Sequence, residues 1–179
     1  MKKIIVALVL AVFAGSAQAA PNLWTLDNVV FEDGGTATGT FLYDADADIY
    51  SAISVTTTVG STLPGEFYQF ENPDLNSNAT SLFLTAIANP VIGTQAFNMN
   101  LDSALTNAGG IVVLATPPPI TAFESTCAVD PCIFFQTSDN RAVTSGTVFA
   151  QSAPVPEPSS ALLFPVGLAI WARALRRRS

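Results

Sequence analysis

Asp44, Asp46 and Asp48 are three carboxylates at alternate positions of a short stretch, Asp44-Ala45-Asp46-Ala47-Asp48. In a loop, that spacing lets oxygen ligands converge on one hard cation, and calcium is the ion such a set suits. The stretch is not an EF-hand. Counting from Asp44, the sixth residue is Ile49 where glycine is needed, and the twelfth is Val55 where a bidentate glutamate is needed. The same residues serve equally as a solvated hairpin loop whose aspartates accept local backbone N–H groups, as Asx-turns do. Paired carboxylates also perform glycoside hydrolysis, and Asp44, Asp46, Asp48, Glu66, Glu71 and Glu124 are available, but nothing in their spacing selects a pair. A serine nucleophile has no histidine to activate it, because the chain contains none. There is no lysine between residues 20 and 153 and no Gly-rich phosphate loop. These absences point away from an enzyme and leave calcium as the one cofactor worth testing.

The only cysteines, Cys127 and Cys132, are separated by Ala-Val-Asp-Pro. In an exported chain such a pair forms a disulfide around a small loop, with modest stabilisation because the loop is short. A zinc site needs about four ligands and would lack histidine here. The spacing is not the Cys-x-x-Cys of redox centres.

Two terminal segments carry nearly all the positive charge. Lys2-Lys3, the apolar run Ile4 to Ala14 and the small residues Ala17-Gln18-Ala19 have the form of a signal peptide, cleaved to leave Ala20 first, and imply the Sec translocase and signal peptidase as partners. At the other end, Pro154, Pro156 and Pro158 stiffen an exposed connector around Glu157. The apolar run Ala161 to Ala172 follows, about 18 Å long as a helix against a hydrocarbon core of about 30 Å, so it is a marginal span. Arg173, Arg176, Arg177 and Arg178 then form a stop cluster that the positive-inside rule holds in the cytoplasm. Residues 20–153 keep one basic residue, Arg141, against 13 acidic ones, a net charge of −12. Such a domain does not bind nucleic acid, which requires cationic neutralisation of phosphates. It also offers trypsin a single site.

Proline-glutamate-proline, apolar segment and terminal arginines, in that order, resemble the PEP-CTERM sorting signal of Gram-negative bacteria, with Val155, Pro156, Glu157, Pro158 and Ser159 as its specific core. The resemblance implies recognition by an exosortase, a transpeptidase-like membrane enzyme. Transient insertion in the inner membrane and delivery to the cell surface or the extracellular polysaccharide matrix would follow. Pro165 and Arg173 interrupt the apolar run, which weakens a permanent anchor more than a transient signal. Further upstream, Trp24-Thr25-Leu26, Val30-Phe31-Glu32-Asp33-Gly34-Gly35, Gly39-Thr40-Phe41, Tyr43-Asp44 and Tyr50-Ser51 resemble a recurrent N-terminal module of proteins bearing that signal, a module of unknown function.

The elements that must position these residues are strands. Period-two patterning predicts Leu23 to Phe31, a hairpin at Glu32-Asp33-Gly34-Gly35, and a return from Thr36 to Tyr43 with Phe41 and Tyr43 on one face and Thr38, Thr40 and Leu42 on the other. Ile49 to Val59 follows, with Ile49, Ile53, Val55 and Val59 on one side, completing a meander. Further strands are predicted at Glu66 to Phe70, Thr80 to Ala88, Ala96 to Leu101, Gly110 to Ala115, Ile120 to Glu124, Ile133 to Thr137 and Arg141 to Ala150, with room for a helical turn in Asp102 to Gly109. Nine or so short strands make one all-β domain, a single antiparallel β-sandwich with a barrel or jelly roll as the alternative, followed by a C-terminal hydrophobic sorting helix. Two roles fit such a domain outside the cell. One is a structural component of the polysaccharide matrix. The other is a carbohydrate-binding or calcium-dependent adhesion module with Trp24, Tyr43, Tyr50 and Tyr68 as candidate sugar platforms, unless aromatics such as Trp24, Phe41 and Phe70 fill the core instead.

Overall fold

Alternating strands need one dry face and one wet face, and the chain supplies both by folding an antiparallel sheet over on itself. The computed structural model describes residues 20–116 and 121–151. The expected signal peptide with Ala17 and Ala19, the sorting motif Val155 to Ser159, the sorting helix and the arginines from Arg173 to Arg178 lie outside the described residues. Ten strands are present among the described residues: β1 (Asn22–Phe31), β2 (Thr36–Asp44), β3 (Ile49–Thr57), β4 (Phe67–Tyr68), β5 (Phe70–Glu71), β6 (Ser81–Thr85), β7 (Gln95–Asn100), β8 (Gly110–Val113), β9 (Phe123–Thr126) and β10 (Arg141–Ala150). Among the described residues there is no helix, so the fold is all-β.

The strands run in the order β4-β3-β2-β1-β10-β9-β7-β6-β5, with β8 also paired to β10. β10 is the fold line. Its first residues pair with β9, through Arg141 opposite Glu124, and its last four pair with β8, through Phe149 opposite Ile111. β1 lies along its other edge. The sheet therefore turns into two layers that share β10, and it nearly closes where β3 approaches β5. One core fills the space between the layers: Trp24, Phe41, Tyr43 and Val55 from the first meet Leu82, Leu84, Phe97 and Met99 from the second. The architecture is the expected antiparallel one, intermediate between a sandwich and a barrel.

Three strands change phase part-way. In β1 the buried residues Asn22, Trp24 and Leu26 give way to Val29 and Phe31 across a bulge at Asn28, whose φ is 52°. In β3 Tyr50 is buried but so are Val55 and Thr57, because the strand slips at Ala52, φ 47°. β10 passes from Arg141 and Val143 to Val148 and Ala150 through a stretch containing Gly146, φ 150°. Here glycine is required, since a Cβ would sit 2.9 Å from the Cα of Val29. Bulges of this kind tighten twist and let long strands bend around a small core.

The slip at Ala52 corrects one expected face, leaving Ile49 exposed, Val55 buried and Ile53 half-buried against the core; the expected strand also ends at Thr57, so Val59 beyond it is exposed. The β2 faces are as expected, with Phe41 and Tyr43 inside. The strand expected from Glu66 to Phe70 is two short strands in different layers, because the chain crosses between β3 and β6 within that stretch. Ile133 to Thr137 is not a strand; only an isolated bridge from Cys127 to Phe135 forms there. Asp102 to Gly109 makes turns, held by the amide of Leu105 donating to Ala79 O at 2.9 Å, and Leu105 plugs that end of the core.

Candidate functional site

A lone cation inside an acidic protein must find its anions. Arg141, first residue of β10, has none of its surface in water. Its Nε and Nη2 donate to Glu124 Oε2 at 3.0 and 2.6 Å, across the β9–β10 ladder that sets the two residues opposite each other. Nη1 reaches Asp33 Oδ2 at 3.2 Å and the carbonyl of Thr58 at 3.1 Å. The guanidinium carbon lies 4.4 Å from the centre of the Phe31 ring, in cation–π contact. Gly35 leaves room for it, since a Cβ at that position would overlap Nη1.

Both carboxylates are saturated. Glu124 Oε1 accepts from Tyr68 Oη at 2.6 Å, Gln95 Nε2 at 3.0 Å and Thr57 Oγ1 at 3.1 Å. Asp33, in the β1–β2 hairpin, accepts from the amides of Gly35 at 3.0 Å and Thr62 at 3.1 Å, which pins the loop after β3. Burial pushes the Glu124 carboxyl above its ordinary pKa, against the pull of Tyr68, Arg141 and Thr57. For Asp33 burial acts in the same direction but loses. The amides of Gly35 and Thr62, with Arg141, hold its carboxyl below the usual value. Burial, and then Glu124, push the Tyr68 phenol well up.

A buried acid, an arginine and a tyrosine with displaced pKa values are the marks by which active sites are often recognised. The geometry here has another use. Each ionic group is enclosed and satisfied from several strands, so the cluster joins the β1–β2 hairpin, β3, β4, β7, β9 and β10 into one internal brace. The sequence offered a signal for it in the solitude of Arg141 among 13 acids. Local spacing shows Arg141 as a protease site and Asp33 as part of a turn, and pairs neither with the other.

The aspartate triplet is arranged differently. Asp44 Oδ1 accepts from the amides of Asp46 at 2.9 Å and Ala47 at 3.3 Å, an Asx-turn. Asp48, φ 55°, accepts from Tyr43 Oη at 2.7 Å. Among the described residues no three His, Cys, Asp or Glu side chains are placed to hold a metal ion, so the triplet is not brought together as a calcium cage. The acids named for glycoside hydrolysis are likewise dispersed: Asp44 to Asp48 cap the β2–β3 hairpin, Glu66 accepts its neighbour Phe67's amide, Glu71 is in β5 and Glu124 is in the brace. The aromatic candidates for sugar stacking, Trp24, Tyr43, Tyr50 and Tyr68, are all core residues, as is Phe41, whereas Phe70, expected to fill the core with Trp24 and Phe41, is exposed.

Cys127 and Cys132 form the expected disulfide. It packs with Ala96 and Phe135 on the outer side of β7, where Asn72 Nδ2 donates to Cys132 O at 2.9 Å. No protein family, curated protein or solved structure matches this chain.

Proposed function

We propose that this is an exported protein of the cell surface or extracellular polysaccharide matrix, delivered by an exosortase-type enzyme and acting there as a structural or binding component. The observation that carries the reading is the terminal signal, Val155-Pro156-Glu157-Pro158-Ser159, an apolar run and Arg176-Arg177-Arg178, behind a body preceded by a signal peptide. The body supports it in kind. Its single cation is spent on internal bracing, its disulfide suits an oxidising compartment, and its net charge of −12 suits a hydrated, soluble passenger. A structural role is favoured over sugar stacking by the burial of Trp24, Tyr43, Tyr50 and Tyr68.

The test is the intact mass of the protein recovered from the membrane and extracellular fractions of the native organism. A chain beginning at Ala20 and ending between Val155 and Ser159, or carrying an added group there, is the expected species. Recovery only of a chain that retains Arg176 to Arg178 would replace the sorting reading with a permanent membrane anchor.

A further inference from the structure

Ladder register fixes which loops share a pole of the body. β1 and β10 are antiparallel with Thr25 opposite Phe149, so the chain enters and leaves at one end. β10 begins at the other end, where Arg141 faces Glu124, Glu124 faces Phe97, and β7 starts two residues earlier. Ten residues of strand separate the poles, roughly 30 Å.

At the pole away from the chain ends, two loops are tied together. The β6–β7 loop meets the disulfide loop through Gly93 N to Cys127 O at 2.9 Å and Cys127 N to Thr94 O at 2.8 Å, and Ala128 N donates to Phe134 O at 2.8 Å. Five large apolar side chains stand in water on these two loops: Ile87, Val91, Ile92 (62% exposed), Ile133 and Phe134 (64% exposed). Residues 86–94 carry no charge and residues 127–136 only Asp130, in a body with 13 acids. Neither loop contains Lys or Arg.

We propose that this tip docks into the interface of a lipid bilayer with net-neutral headgroups. Charge selects that occupant. The five side chains together expose on the order of 500 Å², a size at which an apolar patch marks an interaction site. Two tips joined face to face would bring together two bodies of net charge −12, which opposes a second copy. A bilayer with neutral headgroups brings no such opposing charge, and each apolar side chain that enters the headgroup and acyl boundary adds its own contribution. With no cation at the tip and an acidic body behind it, anionic headgroups repel the protein and neutral ones do not. The disulfide and the two cross-loop hydrogen bonds hold the protruding side chains ready.

Residues 20–153 contain every strand and core residue among the described residues, and they exclude the terminal apolar segments that would bind lipid by themselves. This chain, oxidised, is mixed with phosphatidylcholine vesicles and followed by co-sedimentation. Saturable binding is expected, lowered about tenfold by Ile92→Asp and again by Phe134→Asp. Both sites are exposed, so the thermal midpoint stays put. Exchanging part of the phosphatidylcholine for phosphatidylglycerol weakens binding at low salt. The exposed residue Ile111 belongs to the other pole, and Ile111→Asp leaves binding unchanged. Absence of binding at millimolar lipid overturns the proposal, as does binding that survives both tip substitutions or is lost in Ile111→Asp. A solution dimer split by the tip substitutions assigns the surface to a second copy instead.

Discussion

Replacing Arg141 by methionine tests the brace. Methionine has similar length and fills the space, so the loss is electrostatic and not a cavity. Glu124, wholly buried, keeps Tyr68, Gln95 and Thr57 but loses its two charge-assisted bonds and its counter-ion. Asp33 keeps the amides of Gly35 and Thr62. No other cation exists between residues 20 and 153 to take over. Removing one partner of a buried pair costs about 3–5 kcal/mol. In a domain of this size, a loss of 1 kcal/mol lowers the thermal midpoint by about 3–5 °C, so Arg141→Met should melt about 10–20 °C early at neutral pH. The defect should shrink in acid. Burial already raises the Glu124 pKa, and without the arginine it rises further, so a proton taken up as pH falls neutralises the stranded charge. The double variant Arg141→Met, Glu124→Leu should regain much of the loss, because apolar replacement of a whole buried pair is often neutral or better. Urea denaturation at pH 7 and pH 5 measures all three. A cost below about 1 kcal/mol for the single variant, or a defect independent of pH, would refute the brace.

The two acids of the brace give opposite pH signatures. Asp33 has a folded pKa below 3.8, so the stability it contributes is present above that value and is lost as pH falls further. Glu124 has a folded pKa above 4.5, so stability rises as pH falls through that raised value. Urea midpoints from pH 7 to 3 should therefore climb and then drop; Glu124→Gln should flatten the climb, and a wild-type curve with no climb would contradict the burial argument. Trypsin should trim the terminal basic residues and leave residues 20–153 whole, since Arg141 is enclosed; a prompt cut at Arg141 would show that the brace opens. Replacing both cysteines by serine should cost about 2 kcal/mol for so short a loop, read from urea midpoints, and no loss would mean the loop is held by other contacts. Gly146→Ala should lower stability by about 2 kcal/mol or more, because φ is 150° and the new Cβ meets the backbone of Val29; an unchanged midpoint would mean that the bulge relaxes freely.

The meander was legible because each of its strands alternates and each of its turns is spelled out, Asp33-Gly34 in the first hairpin and Asp44 to Asp48 in the second. β10 was read to the residue. The phase slips were not legible. Ala52 carries no turn signature, Asn28 carries only that of a residue type that tolerates positive φ, and a bulge is chosen by the curvature the whole sheet needs, which is a tertiary demand. The slip at Ala52 takes Ile49 off the side it shares by alternation with Val55, and Val59 is exposed because β3 ends at Thr57. The crossing between β4 and β5 hid inside an aromatic-rich stretch, Phe67-Tyr68-Gln69-Phe70, that reads equally well as one strand. The brace escaped because it joins residues up to 108 positions apart, and local spacing says nothing of partners so distant.

β10 belongs to both layers and runs from one pole to the other. A pull between the chain's exit and the apolar tip acts along its axis, with β1 on one flank and β9 and then β8 on the other. Ladder hydrogen bonds stand perpendicular to the strands. Such a pull loads many of them together in shear. Tension between the two chain ends works otherwise, since both lie at the same pole on adjacent strands, and it peels the β1–β10 pair apart one rung at a time. The body is thus mechanically anisotropic, stiff when stretched between an attachment at its exit and a grip at its tip, and easily unzipped when drawn by its two ends.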